Sequence, residues 1–155
     1  MTFKFSARSL KNLEGIDPWL VKLAHLALEL TTVDFAVIEG VRTFERQKEL
    51  FRAGASKTMK SKHLTGEAID VAAYVNGGMR WDWPLYEDIA MAFKGAQDVA
   101  RVGWKNDESL KSLLYPRKLT WGGDWKSFRD GPHFQVEEAL AASHGSAKHE
   151  AGSAR

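Results

Sequence analysis

Three residues of this chain carry side chains that together could bind and use a metal ion. His63 and Asp70 lie in the run Ser61-Lys62-His63-Leu64-Thr65-Gly66-Glu67-Ala68-Ile69-Asp70, and His133 closes Asp130-Gly131-Pro132-His133. Two imidazoles and one carboxylate make a ligand set suited to a catalytic zinc, whose fourth position stays open for water. Such a site generates a nucleophile at neutral pH and polarises a carbonyl, the chemistry of a metallohydrolase. Histidine and aspartate are common, so the setting decides. His63 ends a polar loop, Asp70 lies inside an apolar run, and His133 opens a second apolar run three residues after another acid.

Alternation within the apolar runs sets where these side chains point. On a strand over 68–75 successive residues face opposite sides, so Ala68, Asp70, Ala72 and Tyr74 share one face and Ile69, Val71, Ala73 and Val75 the other. The second set is the core face, and Asp70 looks away from it between small residues that leave room for a ligand. His133 and Gln135 likewise oppose Phe134 and Val136 on a strand over 132–136. If the two strands are neighbours, Asp70 and His133 reach one ion. His63 then reaches it from the loop, where Gly66 permits a tight return. Spacing alone leaves open that the three are independent polar residues on a solvated face.

The other elements follow from periodicity and punctuation. Asp17-Pro18 starts a helix over 18–30, in which Trp19, Leu20, Leu23, Leu26, Ala27 and Leu30 recur at helical spacing. His25 within it reads as a packing or surface residue. Residues 35–38 read as a buried strand closed by Gly40, 44–53 as a helix ending at Gly54, and 54–62 as a basic loop. Asn76-Gly77-Gly78 is a turn into a short strand over 79–81. Asp82 and Pro84 begin a helix whose apolar stripe runs to Gly103. Residues 104–118 read as an irregular insertion and 119–121 as a strand before Gly122-Gly123-Asp124-Trp125. Helices alternate with strands, but hairpins interrupt the pattern. This favours an α+β fold, a small antiparallel sheet packed with helices, over a doubly wound parallel sheet. The expected organisation is one domain over 1–137, with a flexible C-terminal tail over 138–155.

With 155 residues, 44% hydrophobic and 27% charged, the composition is that of a soluble globular domain. The absence of cysteine excludes disulfides, thiolate metal sites and a cysteine nucleophile. Neither Ser-x-x-Lys nor His-Glu-x-x-His occurs. The first residues lack the apolar stretch of a secretory signal, and no apolar run is long enough to span a bilayer. Synthesis in the cytoplasm without membrane insertion is therefore expected. Net charge is only +2, yet Arg42, Arg46, Lys48, Arg52, Lys57, Lys60 and Lys62 face only Glu45 and Glu49 between 42 and 62. This patch fits either a solvated helix face or attraction to a carboxylate-rich substrate. No nucleic-acid motif accompanies it, so no nucleic-acid partner is expected.

The run Ser61-x-His63-x-x-Gly66-x-Ala68-x-Asp70, with a later acid-x-x-His, resembles the zinc peptidases of the D-alanyl-D-alanine carboxypeptidase/hedgehog type. Gly40-Val41-Arg42-Thr43, followed by Gln47 and Leu50-Phe51, is similar to that family's upstream Arg/Gln motif. Closer still, the chain resembles bacteriophage endolysins that are L-alanyl-D-glutamate endopeptidases. The shared features are small size, Phe3-Lys4-Phe5-Ser6, Gly-Val-Arg-Thr, Ser61-Lys62-His63-x-Thr65-Gly66, the Asn76-Gly77 turn and Asp130-Gly131-x-His133. The resemblance covers roughly residues 1–137.

The resemblance implies that His63, Asp70 and His133 hold one zinc ion (Zn2+) and that Asp130 is the general base and acid. Arg42 corresponds to the family's arginine, which holds the substrate carbonyl or stabilises the oxyanion. Gln47 and Ser61 are implied to lie near the substrate, with Ser61 bonding either backbone or substrate. Asp124 competes for the role of base, orients His63 from behind, or supports its own turn. The implied activity is cleavage of the L-Ala–D-Glu bond of bacterial peptidoglycan for host lysis. The implied protein is a monomer made in the host cytoplasm and released to the wall with a holin. Two alternatives stand beside it: a D-alanyl-D-alanine carboxypeptidase or dipeptidase of the same fold, and a non-catalytic cell-wall-binding module. The stretch 104–118 is longer than the matching connection in these relatives, and the tail with His144 and His149 has no counterpart there. Trp81, Trp83, Trp104, Trp121 and Trp125, close to the site segments, either line a groove or pack a core.

Overall fold

The alternating runs pair into one five-stranded antiparallel sheet: β1 (Phe35–Glu39), β2 (Ala68–Val75), β3 (Gly78–Arg80), β4 (Arg117–Trp121) and β5 (His133–Glu138). The order across it is β1-β2-β5-β4, with β3 folded back on β2. The structure is a computed structural model and describes residues 2–104, 106 and 117–138. Its helices are α1 (Ala7–Asn12), α2 (Pro18–Leu30), α3 (Phe44–Arg52) and α4 (Trp83–Trp104), and 3-10 turns cover Lys62–Thr65 and Gly122–Asp124. The α+β architecture expected from the sequence is the one observed.

Helices α2 and α4 pack on each other and cover one face of the sheet. Leu20, Leu23 and Ala27 of α2 and Ile89, Phe93 and Ala96 of α4 close on Ile69, Val71, Phe134 and Val136, all of them buried. Phe93 stacks on Phe134 at 4.1 Å between ring centroids and lies 5.5 Å from Phe35. Each large side chain buried here contributes roughly 1.5–3 kcal/mol. The core therefore anchors β2 and β5 side by side from beneath. The uncovered face of the same two strands is left to Asp70, His133 and Gln135.

The first strand is finished by features that hydrophobic periodicity does not reveal. Helix α1, absent from the sequence reading, lies along β1. Ser9 Oγ accepts from the Val37 N–H (3.1 Å), and Asn12 Nδ2 donates to the Val37 carbonyl (2.8 Å). These bonds satisfy an edge strand that would otherwise expose its backbone. Between Val37 and Glu39 the register slips by one residue, so Val37 still faces Val71 but Glu39 stands opposite Asp70. This bulge moves a carboxylate onto the site face.

Other boundaries moved by small amounts. The Asn76-Gly77 turn has both φ angles positive (51° and 80°), as a two-residue hairpin turn requires, and β3 ends at Arg80 rather than at 81. Strand β4 begins at Arg117, inside the stretch read as an insertion, and β5 runs to Glu138. Residues 105 and 107–116 of that insertion, and 139–155 of the expected tail, lie outside the described residues.

Gly66 links the site turn to the body of the protein. It closes the 62–65 turn at φ 76°, its carbonyl accepts from the Asp17 N–H (2.8 Å), and an added Cβ would meet the Gly15 carbonyl at 2.5 Å. Gly66→Ala is expected to cost about 2 kcal/mol or more, because it adds a clash to a left-handed backbone. Urea unfolding checks this as a lowered midpoint at unchanged slope.

Candidate metal centre

The β2–β5 register places Asp70 directly opposite His133, so their side chains leave the sheet on one face. His63 arrives from the 62–65 turn. Ser61 starts that turn by accepting from the His63 N–H (3.2 Å), and the His63 carbonyl accepts from the Arg42 N–H (2.9 Å). The ligand-bearing atoms of His63, Asp70 and His133 all fall within 4.8 Å of one another. Asp70 Oδ1 is 3.2 Å from His63 Nε2 and 3.2 Å from His133 Nδ1. Both imidazoles are buried, and the group opens into a cavity of about 560 Å3.

The remaining ring nitrogens decide whether these atoms suit a metal. His63 Nδ1 lies 2.9 Å from the Gly40 carbonyl, and His133 Nε2 lies 2.8 Å from Gln135 Oε1. Each partner is an acceptor, so each of these nitrogens carries the hydrogen. In the neutral rings, His63 Nε2 and His133 Nδ1 then turn lone pairs toward the Asp70 carboxylate. His63 Nε2 is buried and has no hydrogen-bond partner among the described residues. A buried nitrogen lone pair without a hydrogen bond, beside a carboxylate oxygen and a second imidazole, is an arrangement that a cation would satisfy, so the donor set fits a metal. The carbonyl acceptors behind the two rings are the supports that metal-binding histidines usually have. Gln135 is held in turn by donating to Glu137 Oε1 (2.7 Å), two residues further along the same face of β5.

Arg42 backs the other oxygen of Asp70. Its Nε and Nη2 donate to both oxygens of Glu39 (2.7 and 2.9 Å), Nη1 donates to Gln47 Oε1 (2.7 Å), and Nη2 lies 3.6 Å from Asp70 Oδ2. Gln47 is fully buried, and its amide also donates to Ser56 Oγ (2.8 Å) and the Thr58 carbonyl (2.5 Å). It ties the guanidinium to the 56–58 loop and is set behind Arg42 rather than in the cavity. Ser61, Arg42 and Asp130 do line the cavity. Asp124 does not: it is exposed and pairs with Lys94 of α4 (2.9 Å), away from His63, whose Nδ1 is taken by Gly40. The 122–124 turn carries that side chain toward α4. Among the tryptophans, Trp125 lines the cavity with its ring 5.1 Å from His133, whereas Trp121 belongs to the core. The sequence reading missed Glu39, Gln135 as a support, the Gly40 carbonyl and Phe128. Only Gln135 carried a signal, its place two residues after His133 on the same strand face.

Burial and charge set the protonation of these groups. Burial opposes ionisation of Asp70, but the protonated forms of the two rings, which place a hydrogen and a charge against it from His133 and then His63, hold its carboxyl well below the ordinary 3.8 in the metal-free protein. Burial likewise opposes charge on His133, yet the hydrogen bond to Asp70 and that carboxylate's charge, helped by Gln135 and Asp130, raise it above 6.5. Asp130 moves the other way from Asp70: burial and then the Asp70 charge push it up, against the pull of His133, His63 and Arg42. In the metal-free protein, Asp70 therefore contributes stability above pH 3.8 that is lost as pH falls through its folded value. His133 contributes stability that is complete below pH 6.5 and is lost as pH rises through its folded value. A metal needs the imidazole neutral, so its affinity grows as that proton leaves. The urea midpoint of metal-free protein is expected to fall as pH rises above 6.5, and the extra stability given by saturating zinc is expected to increase over the same range.

Comparison with known proteins agrees with this geometry. The phage L-alanyl-D-glutamate peptidase family profile matches residues 1–144. The chain is 34% identical over 134 residues to the L-alanyl-D-glutamate peptidase of Escherichia phage T5, covering 84% of this chain and 87% of that protein. It is 32% identical over 114 residues to the peptidoglycan L-alanyl-D-glutamate endopeptidase CwlK of Bacillus subtilis, covering 67% of this chain and 61% of that protein. Among solved structures it is similar to the L-Ala D-Glu endopeptidase ChiX of Serratia marcescens. That match has a TM-score of 0.74 and 39% identity, and covers 92% of this chain and 94% of the other. The chain belongs to the phage L-alanyl-D-glutamate peptidase family.

Proposed function

We propose that this chain is a zinc-dependent peptidoglycan endopeptidase that cuts the L-Ala–D-Glu bond of stem peptides. The observation that carries the reading is the convergence of His63 Nε2, Asp70 Oδ1 and His133 Nδ1 in a cavity that Asp130 and Arg42 also line, within a chain of this family. Two imidazoles with one carboxylate, and no thiolate, suit zinc better than the all-oxygen sites of calcium or magnesium. When bound there, zinc supplies a Lewis acid for the scissile carbonyl and lowers the pKa of a water to about 7.

The chain's own groups divide the remaining work. Asp130 is the base that takes the proton of the attacking water and the acid that returns it to the leaving amine. Its raised pKa supports this, since proton transfer in both directions is easiest when the group titrates nearer the working pH. Its backbone is fixed by a bond from its N–H to the Gly122 carbonyl (3.0 Å). Arg42 keeps one Nη1 hydrogen free of a partner among the described residues, and we assign it to the carbonyl oxygen on which charge develops. Gln47 is a positioning residue for Arg42, and Ser61 positions His63. Asp124 takes no part in the chemistry.

Family membership favours this bond over the terminal D-alanine that a carboxypeptidase of the same fold removes, and Asp130 in the cavity argues against a non-catalytic wall-binding module. No helix among the described residues is long and apolar enough to cross a membrane. We place the protein as a monomer made in the host cytoplasm and reaching the wall with a holin. Asp130→Ala is expected to lower turnover on purified peptidoglycan by about 10²–10⁴-fold while one zinc per chain is retained. Mass spectrometry of wild-type digests is expected to show peptides beginning at D-Glu. Loss of terminal D-Ala alone supports the carboxypeptidase instead, and full activity of the Asp130 variant removes the assigned base.

A further inference from the structure

The rim of the cavity carries cations that neither the metal ligands nor their supports use. Arg42 is paired with Glu39, and Lys62 lies 3.6 Å from Glu67. Lys57 and Lys60 also line the cavity, are exposed, and face no carboxylate among the described residues. The Lys57 ammonium instead lies 5.1 Å from the centroid of the Phe128 ring. A ring holds an ammonium without neutralising it, so the charge stays available to an anion.

Phe128 is itself held in an unusual state. It lies at the cavity with 55% of its surface exposed, on the segment leading into β5, and has φ of +54°. A bulky residue at positive φ costs energy, and such strain persists mainly where the surroundings enforce it, often at ligand clamps. The lysine loop facing it is also fixed. Gln47 donates to Ser56 Oγ and the Thr58 carbonyl, and the Lys60 N–H donates to Thr58 Oγ1 (2.9 Å). The carboxylates inside the cavity, Glu39, Asp70 and Asp130, are directed to Arg42 or sit among the metal ligands. The cations at the mouth are left to an outside anion.

The substrate's chemistry supplies one. An L-Ala–D-Glu bond joins the alanine carbonyl to the glutamate nitrogen, glutamate has two carboxyl groups, and a stem peptide continues through one of them. The other is free and lies a few bonds from the scissile nitrogen, on the leaving side. We propose that Lys57 and Lys60 form the subsite for this free carboxylate of the D-glutamyl residue, with Lys57 presented by the Phe128 ring. The assignment rests on the peptidase reading given above.

The test uses the zinc-loaded full chain and two synthetic stem peptides that differ only in this group, a free carboxylate in one and its primary amide in the other. Wild-type kcat/KM is expected to favour the free acid by about 10-fold or more, mainly through KM, as befits loss of one charge-assisted contact. In the Lys57→Gln, Lys60→Gln double variant that ratio is expected to collapse toward one. A wild-type ratio near one, a double variant that keeps the wild-type ratio, or equal loss of activity on both peptides overturns the subsite and leaves the peptidase reading standing. Cleavage of neither peptide by the wild type overturns the peptidase reading and the subsite with it.

Discussion

The site turns on one carboxylate oxygen. Asp70 Oδ1 sits 3.2 Å from a nitrogen of each histidine, while the opposite nitrogen of each ring is held by a carbonyl oxygen. With both imidazoles neutral, three electron-pair donors face one another in a largely buried place, and that arrangement is repulsive unless positive charge lies among them. Protonation of His133 supplies that charge without a metal, and a divalent ion supplies it better. The surrounding structure keeps this choice from being avoided by rotation. The β2–β5 register fixes Asp70 against His133, the 61–66 turn fixes His63, and the Glu39–Arg42–Gln47 chain holds the second oxygen of Asp70.

Two aspartates in one cavity are driven in opposite directions by their neighbours. Asp70 touches both histidines and stays ionised, as a ligand must. Asp130 is half-buried but makes no such contacts, and beside the desolvation it feels the negative charge of Asp70, so it holds its proton more readily. Environments that separate two carboxyl groups in this way assign one to charge and the other to proton transfer. On the proposed reading, the same fold geometry yields a ligand and a base from one residue type.

Much of this was legible in the sequence, for physical reasons that also mark where legibility ended. Alternation in Ala68–Val75 and in residues 132–136 put Asp70 and His133 on the non-core face, because β2 and β5 are central strands with one covered side. Asp17-Pro18 and Asn76-Gly77 marked a helix start and a hairpin because each satisfies a local backbone demand. Helix α1 escaped notice because it is six residues long and is held to β1 by Ser9 and Asn12 rather than by an apolar stripe. The bulge that delivers Glu39 to Arg42 has no local signature, since it arises from pairing with β2. Asp124 looked like a site residue from its place in Gly-Gly-Asp-Trp, but the direction of a side chain on a short 3-10 turn depends on what packs nearby, here Lys94.

The zinc K-edge X-ray absorption spectrum of the purified, metal-loaded protein tests the centre of this account most directly. The predicted first shell is two imidazole nitrogens at about 2.0–2.1 Å and carboxylate or water oxygens at about 2.0–2.2 Å, with one nitrogen lost in His63→Ala. A shell of oxygens alone, or a shell unchanged when His63 is removed, would contradict it.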